Sequence, residues 1–421
     1  MFREDNAEVL VVGAGPVGMT AALLLAEQGV KATVIDAAGG TAAHSYACTL
    51  HPHTLGLLDR FGLVKEILEW GRRVNAVAFY DGPSKRAEVS LSALGAAFPF
   101  AVVLPQNALE WLLERTLSQR AGIKVNWHHR LSDLRSNGDG MIATVDEQED
   151  GAPGGGALAS EGIVKNTTRI HAPFLVGADG HQSFVRRCLG FHYERVGEPE
   201  HFMVFEFETD TGLNNEVRVV IDESTTNVLW PISSRRCRWS FQVPPEAANG
   251  AFPEKSRGPF GKDVPQEVDR EVEQQLQQLI QERAPWFTGK VINFNWVTHV
   301  QFERRLTKQF TNGRCWLVGD AAHQTGPVGV QSFNVALCEA DELADALKNA
   351  FNKNAAASVW ETWNQRWREK WQQLLGLKGA PRAAGNTDAW IKRRAPRMLP
   401  CFPASGDDLA RLLSQLHLTL P

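Results

Sequence analysis

Val9-Leu10-Val11-Val12-Gly13-Ala14-Gly15-Pro16-Val17-Gly18 joins an apolar, β-branched run to a glycine-rich turn. The Ala/Leu-rich segment from Met19 to Ala26 follows and stops at Gly29, so the order predicted is strand, tight turn, helix. Each glycine has its own reason. Gly13 allows the turn, Gly15 leaves no side chain where a pyrophosphate must approach, and Gly18 lets helix and strand pack closely. The helix N-terminus adds unpaired amides and a partial positive charge. A second strand, Lys31 to Ile35, ends at Asp36, whose carboxylate is placed to accept hydrogen bonds from ribose hydroxyls.

Two later segments extend the pattern. Gly177-Ala178-Asp179-Gly180 and Gly319-Asp320-Ala321-Ala322-His323 follow in an order and at separations that suit one long dinucleotide, FAD, held non-covalently by backbone returning from distant parts of the chain. Trp316-Leu317-Val318 reads as a buried strand delivering Asp320 to the strand end, where an open α/β sheet places its ligand contacts. The fold class expected is α/β: a Rossmann-like FAD domain of the glutathione reductase type, an inserted and mostly antiparallel substrate sheet, and a helical C-terminal segment. The boundaries read as residues 1–75, 104–190 and 303–347 for the FAD domain, 76–103 and 191–302 for the substrate domain, and 348–421 for the tail.

Composition is consistent with that division. The 421 residues suffice for about two associated domains, and 44 basic against 48 acidic side chains give a net charge of −4. Bulk electrostatics therefore favour neither nucleic acid nor an anionic membrane as partner. The uncharged run from Val9 to Ala26 is broken by Gly13, Gly15, Pro16 and Gly18 and is no membrane span. The polar start Met1-Phe2-Arg3-Glu4-Asp5 lacks the order of an export signal, and a cytoplasmic location is expected. Six scattered cysteines form no C-x-x-C pair, and the histidines lack metal-ligand spacing. No metal site is expected. Monomer and homodimer both stay open.

Helices are predicted around Pro52 to Phe61, from Asn107 to Leu117, with Gln106 at its start, and from Val330 to Leu347. Strands are predicted at Ala76 to Tyr80, Met141 to Val145 and Arg169 to Val176, with Asp150 to Gly156 a mobile surface loop. From Phe191 to Phe302 the text alternates, as in Phe202-Met203-Val204-Phe205-Glu206-Phe207 and Arg238-Trp239-Ser240-Phe241-Gln242-Val243, the pattern of an antiparallel sheet.

From Val9 to Leu347 the chain resembles the class A flavoprotein monooxygenases, which include hydroxylases of para-hydroxybenzoate and related phenols. The resemblance rests on the three segments in order together with Gln106. It implies that Gly13, Gly15, Pro16, Val17 and Gly18 meet the pyrophosphate and that Asp320, beside Gly319, contacts the ribityl or pyrophosphate region. It further implies that Asp179 and Gly180 serve both FAD and NAD(P)H, that Gln106 approaches the flavin from the side, and that backbone near Leu131 borders the adenine. In this family NADPH or NADH reduces FAD, and O2 then gives a flavin hydroperoxide that inserts one oxygen atom into an aromatic or polyketide-like molecule. The chain has no second glycine-rich unit for the nicotinamide, as the family leads one to expect.

Two departures stand out. After Pro327 the family carries a double glycine and a further one, whereas this chain reads Val328-Gly329-Val330-Gln331-Ser332. Gly329, Val330 and Gln331 are expected at the flavin, with the amides facing it if Val330 and Gln331 keep negative φ, since a β-branched residue disfavours the left-handed conformation that glycine permits. After Asp36, His44 stands near the place where the family keeps a pyrophosphate-binding arginine.

Substrate contacts and the catalytic base are not assigned by sequence. Arg235, Arg236 and Arg238 read as decoration of a strand edge, with recognition of an acidic substrate as the alternative. Trp360, Trp363, Trp367 and Trp371 share a helical stripe expected to pack on the body. His323 reads as structural, and Lys392, Arg393, Arg394 and Arg397 as a basic loop that attracts the phosphate of NADPH or a carrier-bound substrate. Competing readings are a halogenase, for which the expected Trp-x-Trp-x-Ile-Pro segment is missing, an isoprenoid-saturating flavin reductase, and a prenyl-protein escort without redox chemistry.

Overall fold

The computed structural model describes residues 3–41, 49–149, 163–248, 266–353 and 357–421; the Asp150 to Gly156 loop and His44 lie outside them. Five strands form a wholly parallel sheet in the order Cys315–Leu317, Phe174–Gly177, Val9–Val12, Ala32–Ile35, Val125–Asn126. Apart from the half-buried Thr33 and Val125 toward one edge, their β-branched and apolar residues are buried on both faces, as a sheet covered by helices requires. The Pro16–Glu27 helix packs between this sheet and the helices Gln106–Ala121 and Gln331–Lys353.

The turn between Val12 and Pro16 shows why glycine is needed. Gly13 has φ +104°, and a Cβ there would lie 2.3 Å from the Ala178 carbonyl oxygen. A Cβ on Gly18 would sit 1.9 Å from the Gly13 carbonyl oxygen. Helix, strand and the Gly177-Ala178 segment thus touch backbone to backbone.

The second large sheet has seven strands in the order Val291–Phe302, Glu200–Thr209, Arg236–Val243, Thr226–Pro231, Glu216–Ile221, Ala76–Asp81, Ser84–Ser90. Every pairing is antiparallel except Glu216–Ile221 with Ala76–Asp81. Alternation along Glu200–Thr209 divides two cores: Phe202 and Val204 join the main core, while Met203, Phe205 and Phe207 form a second one. That second core is closed by the Gln266–Arg283 helix through Val272, Leu276, Leu279 and Ile280. The sequence reading had placed no helix there.

Arg236 and Arg238 do not decorate an edge. Their strand lies between Glu200–Thr209 and Thr226–Pro231, and Arg238 is buried. The edge expectation fails because strand order is set by long-range pairing, to which local alternation is blind.

The tail packs back on the body. Along the Ala357–Leu374 helix all four stripe tryptophans are buried, with Trp360 4.6 Å from Trp316 and Trp363 6.2 Å from Phe310 between ring centroids. Trp371 stacks on His323 at 3.5 Å. The supposed basic loop is a helix, Ala389–Met398, capped by the Asp388 carboxylate and carrying Pro396 near its end. Arg394 pairs with Glu223 at 2.6 Å, and Arg397 donates to Thr226 Oγ1 and the Asp222 carbonyl. These two arginines tie the tail to the substrate sheet.

Candidate cofactor and substrate site

The C-terminal ends of the parallel strands, the start of the Gln331–Lys353 helix and the Phe302 end of the large sheet converge on one cleft of about 310 Å³. Gly15, Pro16, Val17, Gln106, Gly319, Asp320, Pro327 and Val330 line it. Gly13 and Gly18 lie behind as packing glycines. Gly15 differs from both, since a Cβ there would find no heavy atom within 4 Å. Its missing side chain leaves open space at a helix N-terminus, which is a cradle for a phosphate.

Other expected residues stand back from the cleft. Asp36 accepts from the Ala14 amide at 2.6 Å and the Ala38 amide at 2.7 Å, and each carboxylate oxygen keeps further acceptor capacity. Asp179 turns away from the opening, accepting from Ser183 Oγ at 2.5 Å and the Val185 amide at 2.9 Å; its neighbours Ala178 and Gly180 line the cleft instead. Burial pushes the Asp179 carboxyl up, against the pull of these donors. Leu131 is buried in the core beside Val145.

Gly319 and Asp320 are held from three sides. Ser332 Oγ donates to Asp320 Oδ1 at 3.0 Å, Tyr193 Oη donates to the Asp320 carbonyl at 2.9 Å, and Arg186 donates to the Ala321 carbonyl at 2.8 Å. Beneath them His323 Nε2 lies 2.8 Å from Glu339 Oε2, both side chains fully buried, and the same oxygen accepts from the Gly319 amide at 3.2 Å. His323 is therefore a strut and not a cleft residue. Arg186, Tyr193, Ser332 and Glu339 were missed in the sequence because their partners lie up to 135 residues away.

The altered loop adopts the conformation that a β-branched residue disfavours. Val330 has φ +51°, a strain of about 1–3 kcal/mol that neighbouring contacts must hold in place. His51 Nε2 donates to the Gly329 carbonyl at 2.8 Å, and Asn334 Nδ2 donates to the carbonyls of Val330 at 2.8 Å and Thr49 at 2.9 Å. Gly329 packs so closely on the tail that a Cβ would lie 2.3 Å from the Pro400 carbonyl oxygen. The buried Gln331 side chain turns away from the cleft and donates to the carbonyls of Leu399 and Phe402, each at 3.3 Å. The tail thus acts as a clamp on the loop.

Beyond Val330 a smaller cavity of about 40 Å³ opens toward the sheet, lined by Val204, Trp230, Arg238, Ser240, Trp296 and Val300. It shares Phe302, Pro327 and Val330 with the cleft.

Residues 6–376 match the family model described as FAD binding domain. The chain belongs to this family. It is 27% identical over 362 residues to 6-methylpretetramide 4-monooxygenase of Streptomyces rimosus, covering 85% of this chain and 58% of that protein. It is 24% identical to para-nitrophenol 4-monooxygenase of Pseudomonas sp. (strain WBC-3), covering 96% of this chain and 92% of the relative. A solved p-nitrophenol 4-monooxygenase from Pseudomonas putida DLL-E4 superposes with a TM-score of 0.72 at 20% identity, covering 98% and 97% of the two chains. The resemblance to class A flavoprotein monooxygenases and the fold class read from the sequence are both borne out. No helix among the described residues is long and apolar enough to cross a membrane, and none of their His, Cys, Asp and Glu side chains group as a metal site.

Proposed function

We propose that this protein is an FAD-dependent monooxygenase that uses NADPH or NADH and O2 to hydroxylate an aromatic or polyketide-like small molecule, in the cytoplasm. The observation that carries the reading is the cleft, where the open space at Gly15, the Asp320 loop and the start of the Gln331–Lys353 helix meet the inner face of the seven-stranded sheet. A dinucleotide lying along the parallel strand ends would have its pyrophosphate at the amides of Val17 and Gly18 and its adenosine ribose near Asp36. Asp320 would meet the ribityl chain, and Gln106 and the amides of Val330 and Gln331 the ring system. When bound, FAD supplies the electron transfer and the activation of O2.

The protein's own share is positional. Ser332 and Gln324 hold the Asp320 carboxylate from both oxygens, at 3.0 and 3.3 Å. The helix dipole behind Gln331 favours negative charge at the loop. Pro327, Val330 and Phe302 set apolar walls between cofactor and substrate and exclude water from the space between them. On this reading, residues 1–75, 104–190 and 303–347 hold the cofactor, 76–103 and 191–302 the substrate.

Purified protein should be yellow and should oxidise NADPH or NADH faster with the right member of a panel of phenols, indoles, quinolones and polycyclic ketides. Mass analysis should show a gain of one oxygen atom. Substrate-stimulated oxidation with a saturated, unoxygenated product would replace this reading by a reductase, and colourless protein that takes up no FAD would end it.

A further inference from the structure

Strand register places an ion pair between two tryptophans in one row across the seven-stranded sheet. Trp296 stands opposite Glu206, Glu206 opposite Arg238, and Arg238 opposite Trp230. The neighbouring row toward the cleft carries Val204 and Val228 around Ser240, so the face is mostly apolar on that side. Arg238 donates through Nη2 to Glu206 Oε2 at 2.7 Å and through Nε at 3.2 Å, and its guanidinium lies 5.2 Å from the Trp296 ring centroid. The two side chains are only 5% and 12% exposed. Arg236 reaches the other Glu206 oxygen at 3.7 Å and stands opposite Glu208 in register, so the two arginines are balanced by two carboxylates and it is the placement of Arg238 at the cavity wall, not a net charge, that matters.

A buried ion pair is a poor source of stability, since apolar residues of the same volume often do better. Its position suggests another role. The cavity that Arg238 lines, at about 40 Å³, has room for a few water-sized atoms but not for an aromatic ring. Its shared wall of Phe302, Pro327 and Val330 opens on the cleft. A ring lying in the cleft against the sheet would point one substituent into this cavity, between two indole faces and onto a guanidinium.

We propose that Arg238 is a specificity-determining residue that receives an anionic oxygen substituent, phenolate or carboxylate, of the aromatic substrate, with Glu206 holding the guanidinium in place. Arginine suits the task because its planar fork pairs with oxyanions and stacks on aromatic rings. The proposal takes the position of the ring from the monooxygenase reading above.

The test uses the full chain loaded with FAD and two matched probe pairs, 4-nitrophenol with 4-nitroanisole and benzoate with benzamide, followed by equilibrium dialysis. The wild type should bind at least one anion about ten- to a hundredfold more tightly than its neutral partner, and the phenolate band should show that bound 4-nitrophenol ionises at lower pH than it does free. Arg238→Leu alone strands a buried carboxylate and risks misfolding, so the deciding variant is Arg238→Leu with Glu206→Leu, which removes both charges. In that variant the preference should vanish and the bound phenol should ionise at higher pH, while neutral probes and FAD bind as before. A preference that survives the double substitution, or a wild type that prefers neither anion, overturns the proposal. Absence of oxygen incorporation with the anion preference intact would count against the monooxygenase reading alone.

Discussion

A methyl group added at Gly15 meets no heavy atom within 4 Å, whereas the same addition at Gly18 lands 1.9 Å from the Gly13 carbonyl oxygen. The two substitutions should therefore fail differently. Gly15→Ala is expected to leave the unfolding midpoint of the cofactor-free protein nearly unchanged yet weaken FAD binding by about tenfold or more, since binding energy depends on close backbone approach. Gly18→Ala should lower stability outright, by about 1–3 kcal/mol. Urea unfolding and fluorescence titration with FAD separate the outcomes, and equal stability losses in both variants would contradict the assignment. Val330 offers a second comparison at this scale. Its left-handed φ of +51° means that Val330→Gly should be more stable than Val330→Ala, by about 1–2 kcal/mol, the reverse of the usual order. The glycine roles were legible in the sequence because they are enforced within a few residues. What Val330 would do was not, because its conformation is imposed by Leu399 to Phe402 and by His51, far away in the chain.

At the scale of elements, the Ala357–Leu374 helix shows how far a periodic pattern carries. Four tryptophans on one stripe predicted a packed face, and the face is packed, with Trp371 fully buried against His323. Trp371→Ala should cost about 3–5 kcal/mol in urea unfolding and loosen the His323–Glu339 strut beneath Gly319. A loss below about 1 kcal/mol would mean that the stack is dispensable. The Gln266–Arg283 helix had the same kind of signal, Val272, Leu276, Leu279 and Ile280 at helical spacing, but Gln and Glu around it masked the stripe inside a region read as sheet. The loop held by His51 makes a prediction about acid. Burial, only partly offset by the hydrogen bond to Gly329, pushes the His51 pKa down from 6.5 to about 3. Between those values the unfolded chain takes up a proton that the folded chain refuses, so this group's contribution to stability is unaffected above pH 6.5 and declines as pH falls, by about 1.4 kcal/mol per pH unit. His51→Gln should flatten the acid limb of the stability curve between pH 6.5 and 4, and an unaltered slope would show that other groups set it.

For the molecule as a whole, the sequence reading captured the parallel sheet except its Val125–Asn126 edge, because Gly13, Gly177 and Gly319 mark three strand ends and Asp36 a fourth, whereas a two-residue strand carries no periodic signal. It misplaced Arg238 because a strand's neighbours depend on pairing across the fold: Glu200–Thr209 and Thr226–Pro231 both precede Arg236–Val243 in the chain yet lie on either side of it in the sheet, and nothing local says which strands will be outermost. The basic segment near residue 394 was likewise misread because Pro396 suggests a break, whereas a proline in the last turn of Ala389–Met398 leaves most of the helical ladder intact. The clamp between that region and the loop at Val330 has one further consequence. Filling the cleft presses on Val330 and so on the carbonyls of Leu399 and Phe402, which makes the end of the chain a reporter of occupancy. Amide hydrogens of the Ala389–Met398 helix should exchange with deuterium more slowly once FAD is added, although no residue of that helix lines the cleft; exchange indifferent to the cofactor would mean that the tail and the cleft breathe independently.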